Sequence, residues 1–159
     1  MTVESDSQGT VFSLFFPASE ERPAVLEDSL SMVDLRGRGE RILVVDDEET
    51  QRDITRKMLQ LFGYSVHTVA SGEEAIAWLR SRSVDLILLD MIMDPGINGC
   101  ETYAEIIKIH PDQKAIIASG FSRSEEVKKA QAMGAGQLLC KPYTLLELGL
   151  VVNQALHGA

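Results

Sequence analysis

The chain has 159 residues, 45% of them apolar and 25% charged, which suits one globular domain with extra segments. A formal net charge of −9 argues against a nucleic-acid footprint, because phosphate backbones are met by clustered Lys and Arg. No apolar run approaches the roughly 20 residues that span a bilayer, and the start, Met1-Thr-Val-Glu-Ser-Asp, lacks the basic and apolar regions of a signal peptide. A cytoplasmic chain without membrane contact by this fragment is expected. Cys100 and Cys140 form no CxxC pair, and the scattered His67, His110 and His157 supply no zinc-type cluster. Both cysteines read as buried small hydrophobes.

Residues 1–39 differ from the rest. Gly9 to Pro17 reads as a strand whose Phe12, Leu14 and Phe16 share a face and which Pro17 stops. With no partner in view, such a strand is expected to fray or to pair with an exposed edge. Residues 18–39 are acidic, contain Ser and Pro, and show weak periodicity, so they read as a solvated linker. A short helix around Val25 to Val33 is the alternative for part of it.

From Arg41 the chain alternates strand and helix five times. Strand one, Ile42 to Val45, runs straight into Asp46-Asp47-Glu48-Glu49. The first helix is expected from Glu49 to Phe62, with Ile54, Met58, Leu59 and Leu61 along one stripe and Gly63 at its C-cap. Strand two spans Tyr64 to Ala70, and helix two spans Gly72 to Arg80, with Ala75, Ile76 and Leu79 inward. Strand three, Val84 to Asp90, is an unbroken aliphatic run that ends on a carboxylate, the pattern of a strand buried on both faces. A loop rich in Pro and Gly follows to Gly99, then a helix from Cys100 to Ile109. Strand four, Lys114 to Ala118, ends at Ser119. A polar helix from Arg123 to Met133 follows, then strand five, Gln137 to Cys140, ending at Lys141-Pro142, and a last helix from Leu145 to Leu156. Sequential βα units with short connections predict an α/β, flavodoxin-like (βα)5 doubly wound parallel sheet in the order 2-1-3-4-5.

In such a sheet ligands bind beyond the carboxyl ends of the strands. Asp46 and Asp47, Asp90, Ser119 and Lys141 all fall there, and the strand order brings them to one rim. Three carboxylates held close repel one another without a cation, and oxygen-only ligands select a hard ion, with Mg²⁺ the best fit. A divalent ion with a Lys and a hydroxyl stabilises a transferring phosphoryl group, and a carboxylate can accept one as an aspartyl phosphate. Asp-Asp-Glu-Glu after strand one is the opposite of a glycine-rich phosphate loop, so a nucleotide enzyme is disfavoured.

The ordered set Asp-Asp, Asp, Ser, Lys-Pro over about residues 40 to 157 resembles a response-regulator receiver domain. The resemblance implies Asp90 as phosphoacceptor, Asp47 as direct Mg²⁺ ligand, Asp46 as a second acid acting mainly through water, and Ile92 as a backbone-carbonyl ligand. It further implies that Ser119 binds a phosphoryl oxygen, that Lys141 pairs with the phosphoryl group, and that the Lys141–Pro142 bond is cis. The partner would be a histidine kinase core or a histidine phosphotransfer domain, and the output would be a switch of the helix-four, strand-five, helix-five face, with a homodimer left open. Two departures stand out. Pro95 lies five residues after Asp90 where the family has four, and Leu138 occupies the place of the family's switch aromatic. Phe121 is the candidate lid in its stead, and with Ile92 it would restrict attacking water.

Gly9-Thr10-Val11-Phe12 and the following Pro17 resemble the closing segment of a histidine-kinase ATP-binding domain. The implied organisation is a remnant of that domain or an N-terminal arm at 1–17, a linker at 18–39 and the receiver at 40–159, from a hybrid histidine kinase. The fragment itself would not be a turnover enzyme. Two other readings stay open. One is an Asp-nucleophile phosphohydrolase, since Asp46-x-Glu48-x-Thr50 echoes an Asp-x-Asp-x-Thr motif. The other is a docking scaffold that is never phosphorylated.

Overall fold

The computed structural model describes residues 2–7, 9–15, 35–120 and 125–158. Phe16, Pro17, the alternative helix at Val25 to Val33, Phe121 and the expected helix start at Arg123 lie outside the described residues.

Thr2–Asp6 (β1) and Gly9–Ser13 (β2) form an antiparallel hairpin with Val3 opposite Phe12. The expected strand at Gly9 is thus present, but its partner is the segment before it, not the edge of another sheet. Thr2–Asp6 holds a single large apolar residue, so no alternation announces it. A hydroxyl pair between Ser5 and Thr10 at 2.9 Å and a Gly9 N–H bond to Asp6 Oδ1 at 3.2 Å close the turn.

The remaining strands, Arg41–Val45 (β3), Ser65–Val69 (β4), Leu86–Asp90 (β5), Ala115–Ser119 (β6) and Leu138–Cys140 (β7), make one parallel sheet. Its order is β4-β3-β5-β6-β7, which is 2-1-3-4-5 counted from Arg41, as expected. Five helices connect and cover it: Glu49–Leu61 (α1), Gly72–Leu79 (α2), Gly99–Ile109 (α3), Glu125–Ala132 (α4) and Leu145–His157 (α5). Among the described residues no helix is long and apolar enough to cross a membrane.

Alternation along the strands sorts the core into two layers. Leu43, Val45, Ile87, Leu89 and Ile117 point to the side of α2, α3 and α4, where they meet Ala75, Leu79, Tyr103, Ile106 and Val127. Ile42, Val44, Leu86, Leu88 and Ile116 point to the side of α1 and α5, where they meet Leu59, Phe62, Leu148 and Val152. Every residue of β5 is buried, and each of its aliphatics contributes about 1.5–3 kcal/mol of transfer free energy on burial. That central, doubly covered strand fixes the position of the acid at its end. Capping boxes start α3 (Asn98 with Glu101) and α5 (Thr144 with Glu147), so both helices begin sharply at the rim where the strands end.

Three details differ from the sequence reading. In α1 the buried residues are Thr55 and Leu59, followed by Phe62 just beyond, whereas Ile54 and Leu61 are 43% and 68% exposed. Those two lie roughly 100° round the helix from the buried line. A polar residue can occupy the centre of that line because the Thr55 hydroxyl is bonded to the Tyr143 hydroxyl at 2.8 Å. Second, the end of the expected linker belongs to the domain: Leu35 is 2% exposed, and Gly37 N–H donates to Phe62 O at 2.8 Å. The notch is made by Gly149 of α5, where a Cβ would lie 2.6 Å from the Phe62 ring and 3.2 Å from Leu35 Cδ1. Third, Cys100 is buried but Cys140 is exposed, because β7 is a sheet edge.

Candidate functional site

The sheet register sets the site. Val45 pairs with Leu89, Asp90 with Ala118 and Ser119 with Cys140. Asp46, Asp90, Ser119 and Lys141 therefore leave four adjacent strands at nearly the same height. Lys141 N–H donates to Ser119 O at 2.9 Å and Met91 N–H to Ala118 O at 3.1 Å, which carries the ladder up to the rim. The Lys141–Pro142 bond is cis, as is Asp94–Pro95.

Asp46, Asp47 and Asp90 each offer a carboxylate oxygen, and these oxygens lie within 4.8 Å of one another. Lys141 Nζ bridges two of the acids, donating to Asp46 Oδ2 at 2.6 Å and to Asp90 Oδ2 at 2.7 Å. Asp46 and Asp90 are buried and Asp47 is exposed, so the cluster is open on one side. Three carboxylates against one ammonium leave an excess of negative charge that a divalent cation would neutralise, and the all-oxygen donor set suits a hard one. Burial pushes Asp90 above the usual carboxylate range, and the Asp46 charge adds to it, despite the Lys141 ammonium. For Lys141, burial lowers the pKa, but the hydrogen bonds to Asp46 and Asp90 and their charges outweigh it and leave the pKa raised. The charged form of the amine is therefore favoured here.

The surrounding donors orient the acids. Asp46 Oδ1 accepts Glu48 N–H at 2.9 Å, Asp90 Oδ1 accepts Ile92 N–H at 3.3 Å, and Asp47 Oδ2 accepts Asp94 N–H at 3.3 Å. Ile92 is 56% exposed at the mouth of the site, and Ser119 is buried at its back. Leu138 is half-buried and packs on the layer that covers α2, α3 and α4, so no ring stands at that position. Arg52 escaped the sequence reading: its guanidinium donates to the Asp46 and Asp47 carbonyls at 2.6 and 2.8 Å and clamps the acidic turn to α1. The sequence does not mark it out, because α1 carries Arg52, Arg56 and Lys57 against Glu49 and Asp53. Tyr143 and Glu73, likewise unforeseen, hold Thr55 and the loop residue Ile97.

Residues 42–153 match the response regulator receiver domain. The chain belongs to that family. As a receiver domain it is a module of two-component signalling, and the family is not one of turnover enzymes. Along 94% of its length the chain is 30% identical to the sensor kinase CckA of Brucella abortus, of which it covers 17%. Over 74% of its length it is 34% identical to the DNA-binding transcriptional regulator NtrC of Azospirillum brasilense, covering 24% of that protein. It therefore spans well under half the length of either relative. Among solved structures, the receiver resembles the chemotaxis protein CheY4 of Vibrio cholerae, with 27% identity and a TM-score of 0.70 over 74% of this chain and 99% of that one. It also resembles the response regulator TrrA of Thermotoga maritima in complex with Mg²⁺-BeF, with 37% identity and a TM-score of 0.67 over 74% and 99% of the two chains.

Proposed function

We propose that this receiver accepts a phosphoryl group from a phosphohistidine onto Asp90, with Mg²⁺ held by Asp47, Asp90, the Ile92 carbonyl and, mainly through water, Asp46. The observation that carries the reading is the Lys141 ammonium bonded at once to Asp46 and Asp90 beside the exposed Asp47. Bound there, Mg²⁺ supplies positive charge to the transferring oxygens. An Asp90 carboxylate oxygen attacks phosphorus as the P–N bond of the phosphohistidine breaks, and the imidazole leaves and regains its proton from solvent. Lys141 pairs with one phosphoryl oxygen as it forms and Ser119 takes another. The added charge of about −1.5 to −2 draws Ser119 inward and biases the face built from α4, β7 and α5 between two arrangements.

Two features favour this over the phosphohydrolase reading. Glu48 and Thr50, the other residues of the motif that reading needs, are exposed, and Glu48 is not gathered with Asp46 in the acidic cluster. The likeness to TrrA, whose structure is in complex with Mg²⁺-BeF, supports Mg²⁺ at this site.

We infer further that the receiver is part of a hybrid sensor kinase of the cytoplasm, which takes its phosphoryl group from a histidine kinase core or phosphotransfer domain. The likeness to CckA takes in 94% of the chain and so extends beyond residues 42–153 towards the hairpin, whose Gly9-Thr10-Val11-Phe12 resembles the close of a kinase ATP-binding domain. On this reading 1–17 belong to that upstream domain and 18–34 to the linker. The test is a small-molecule phosphodonor with Mg²⁺, followed by mass spectrometry. Wild type gains one hydroxylamine-labile phosphoryl group and Asp90→Asn gains none; a phosphoryl group retained by Asp90→Asn, or turnover of a phosphomonoester lost in Asp46→Asn, overturns the assignment.

A further inference from the structure

The loop from β5 to α3 carries one residue more than its family pattern, and the structure shows what holds it. Its inner end is fixed by Asp94 N–H on Asp47 Oδ2 at 3.3 Å. Its outer end is fixed by Ile97 N–H on Glu73 Oε1 at 3.0 Å, from the first turn of α2. Between them Gly96 has φ +126°, and a Cβ there would sit 2.9 and 3.0 Å from the two Glu73 oxygens. The carboxylate is thus seated against the glycine backbone, and a side chain at that position would displace it. Two more close approaches anchor the same corner: a Cβ at Gly72 would strike Thr102 Oγ1, and one at Gly99 would strike the Asp90 carbonyl. The start of α2, the start of α3 and the end of β5 therefore interlock, and Glu73 is the side chain that reaches from that corner onto the loop. Its own backbone N–H and that of Ile97 lower its pKa, so it stays an acceptor-only carboxylate at neutral pH.

We propose that Glu73 is a positioning residue for the acidic site: by holding Ile97 N–H it sets the lengthened loop so that Asp94 N–H occupies one oxygen of Asp47 and turns the other toward the cation. This rests on the Mg²⁺ reading above. The acceptor is what matters, so a neutral amide oxygen in the same place does the same work. Helix α2 lies outside the acidic cluster, and Glu73 ties its first turn to the loop that carries Asp94.

The experiment is Mg²⁺ titration by calorimetry on the full chain as wild type, Glu73→Ala and Glu73→Gln, with thermal midpoints in the absence of Mg²⁺ and amide exchange at Ile97. Glu73→Ala weakens Mg²⁺ about fivefold, speeds exchange at Ile97 and leaves the midpoint within about 2 °C, the shift of a surface substitution. Glu73→Gln restores affinity to within about twofold, a small step on the same coupling scale. Affinity unchanged in Glu73→Ala overturns the inference, as does an equal loss in Glu73→Gln with Ile97 still protected, which would make the effect one of charge. A wild-type chain that binds no Mg²⁺ overturns the proposed function itself and this inference with it, whereas the first two outcomes leave that function standing.

Discussion

Asp90 sits where an ionised carboxylate is costly to hold. Burial, then the neighbouring Asp46, raise its pKa despite Lys141. A group whose pKa is raised on folding contributes stability that is full below its unfolded pKa and is lost as pH rises through the folded one. At pH 7 the charged Asp90 is therefore a net cost to the fold, of the kind that functional sites carry. Asp90→Asn removes the charge and keeps the shape. Its thermal midpoint is expected about 2–4 °C above wild type at pH 7 without Mg²⁺, the shift that about 1 kcal/mol gives a chain of this size. The gap narrows as pH falls below the carboxylate range, where both side chains are neutral, and narrows again in saturating Mg²⁺, which binds the folded wild type. A midpoint lowered at pH 7 would contradict the argument.

The same residues show what a sequence displays at this scale. Asp46, Asp90 and Lys141 are legible because each directly follows an apolar run, and strand order then brings them together. Arg52 and Glu73 are not, because their partners are backbone groups of turns whose path no side-chain pattern reveals. Arg52 gives a second test. It donates to the carbonyls of both Asp46 and Asp47, so Arg52→Met is expected to slow Mg²⁺-dependent phosphorylation several-fold by loosening the acidic turn, roughly the 1.5–3 kcal/mol range of a charged hydrogen bond reduced by partial exposure. Phosphorylation at the wild-type rate would show that the turn holds without it.

At the scale of elements, the hydrophobic runs of the sheet are read correctly to within a residue or two, because an unbroken aliphatic stretch has only one stable place in a parallel sheet. Helix faces are harder. In α1 the apolar residues Ile54 and Leu61 point outward while Thr55 points in, an inversion decided by a hydroxyl partner on Tyr143, 88 residues away. The consequence is measurable by urea unfolding. Leu59→Ala, at a fully buried position, is expected to cost about 2–5 kcal/mol. Leu61→Ala, two residues on and 68% exposed, is expected to stay within about 0.5 kcal/mol of wild type. Equal losses would place Leu61 back in the core. The hairpin teaches the complementary lesson: β1 was hidden because every residue of it is exposed, and a strand with no buried face leaves no alternation to read.

For the molecule as a whole, the question is where the receiver starts. Composition draws the boundary near residue 40, where charge and proline give way to an aliphatic strand. Packing draws it earlier. Leu35 fills the notch between Phe62 and Gly149, Gly37 lies flat on the Tyr64 ring because a Cβ there would strike it, and Tyr64 donates to the Leu35 carbonyl at 3.4 Å. One buried leucine thus ties the incoming chain to both α1 and α5. The hairpin is the opposite case, a two-stranded unit with Val3, Val11 and Phe12 exposed, and such units are marginal on their own in water. Shortened chains separate the two contributions. A chain of residues 35–159 is expected to melt within about 2 °C of the full chain and to bind Mg²⁺ equally, since the hairpin supplies little stability. A chain of residues 40–159 loses the Leu35 contacts, which at about 2–4 kcal/mol for a buried leucine lowers the midpoint by roughly 5–10 °C. Two chains of equal midpoint would return the boundary to residue 40, while a large loss on removing residues 1–34 would show that the hairpin is bound to the receiver and not to a domain upstream.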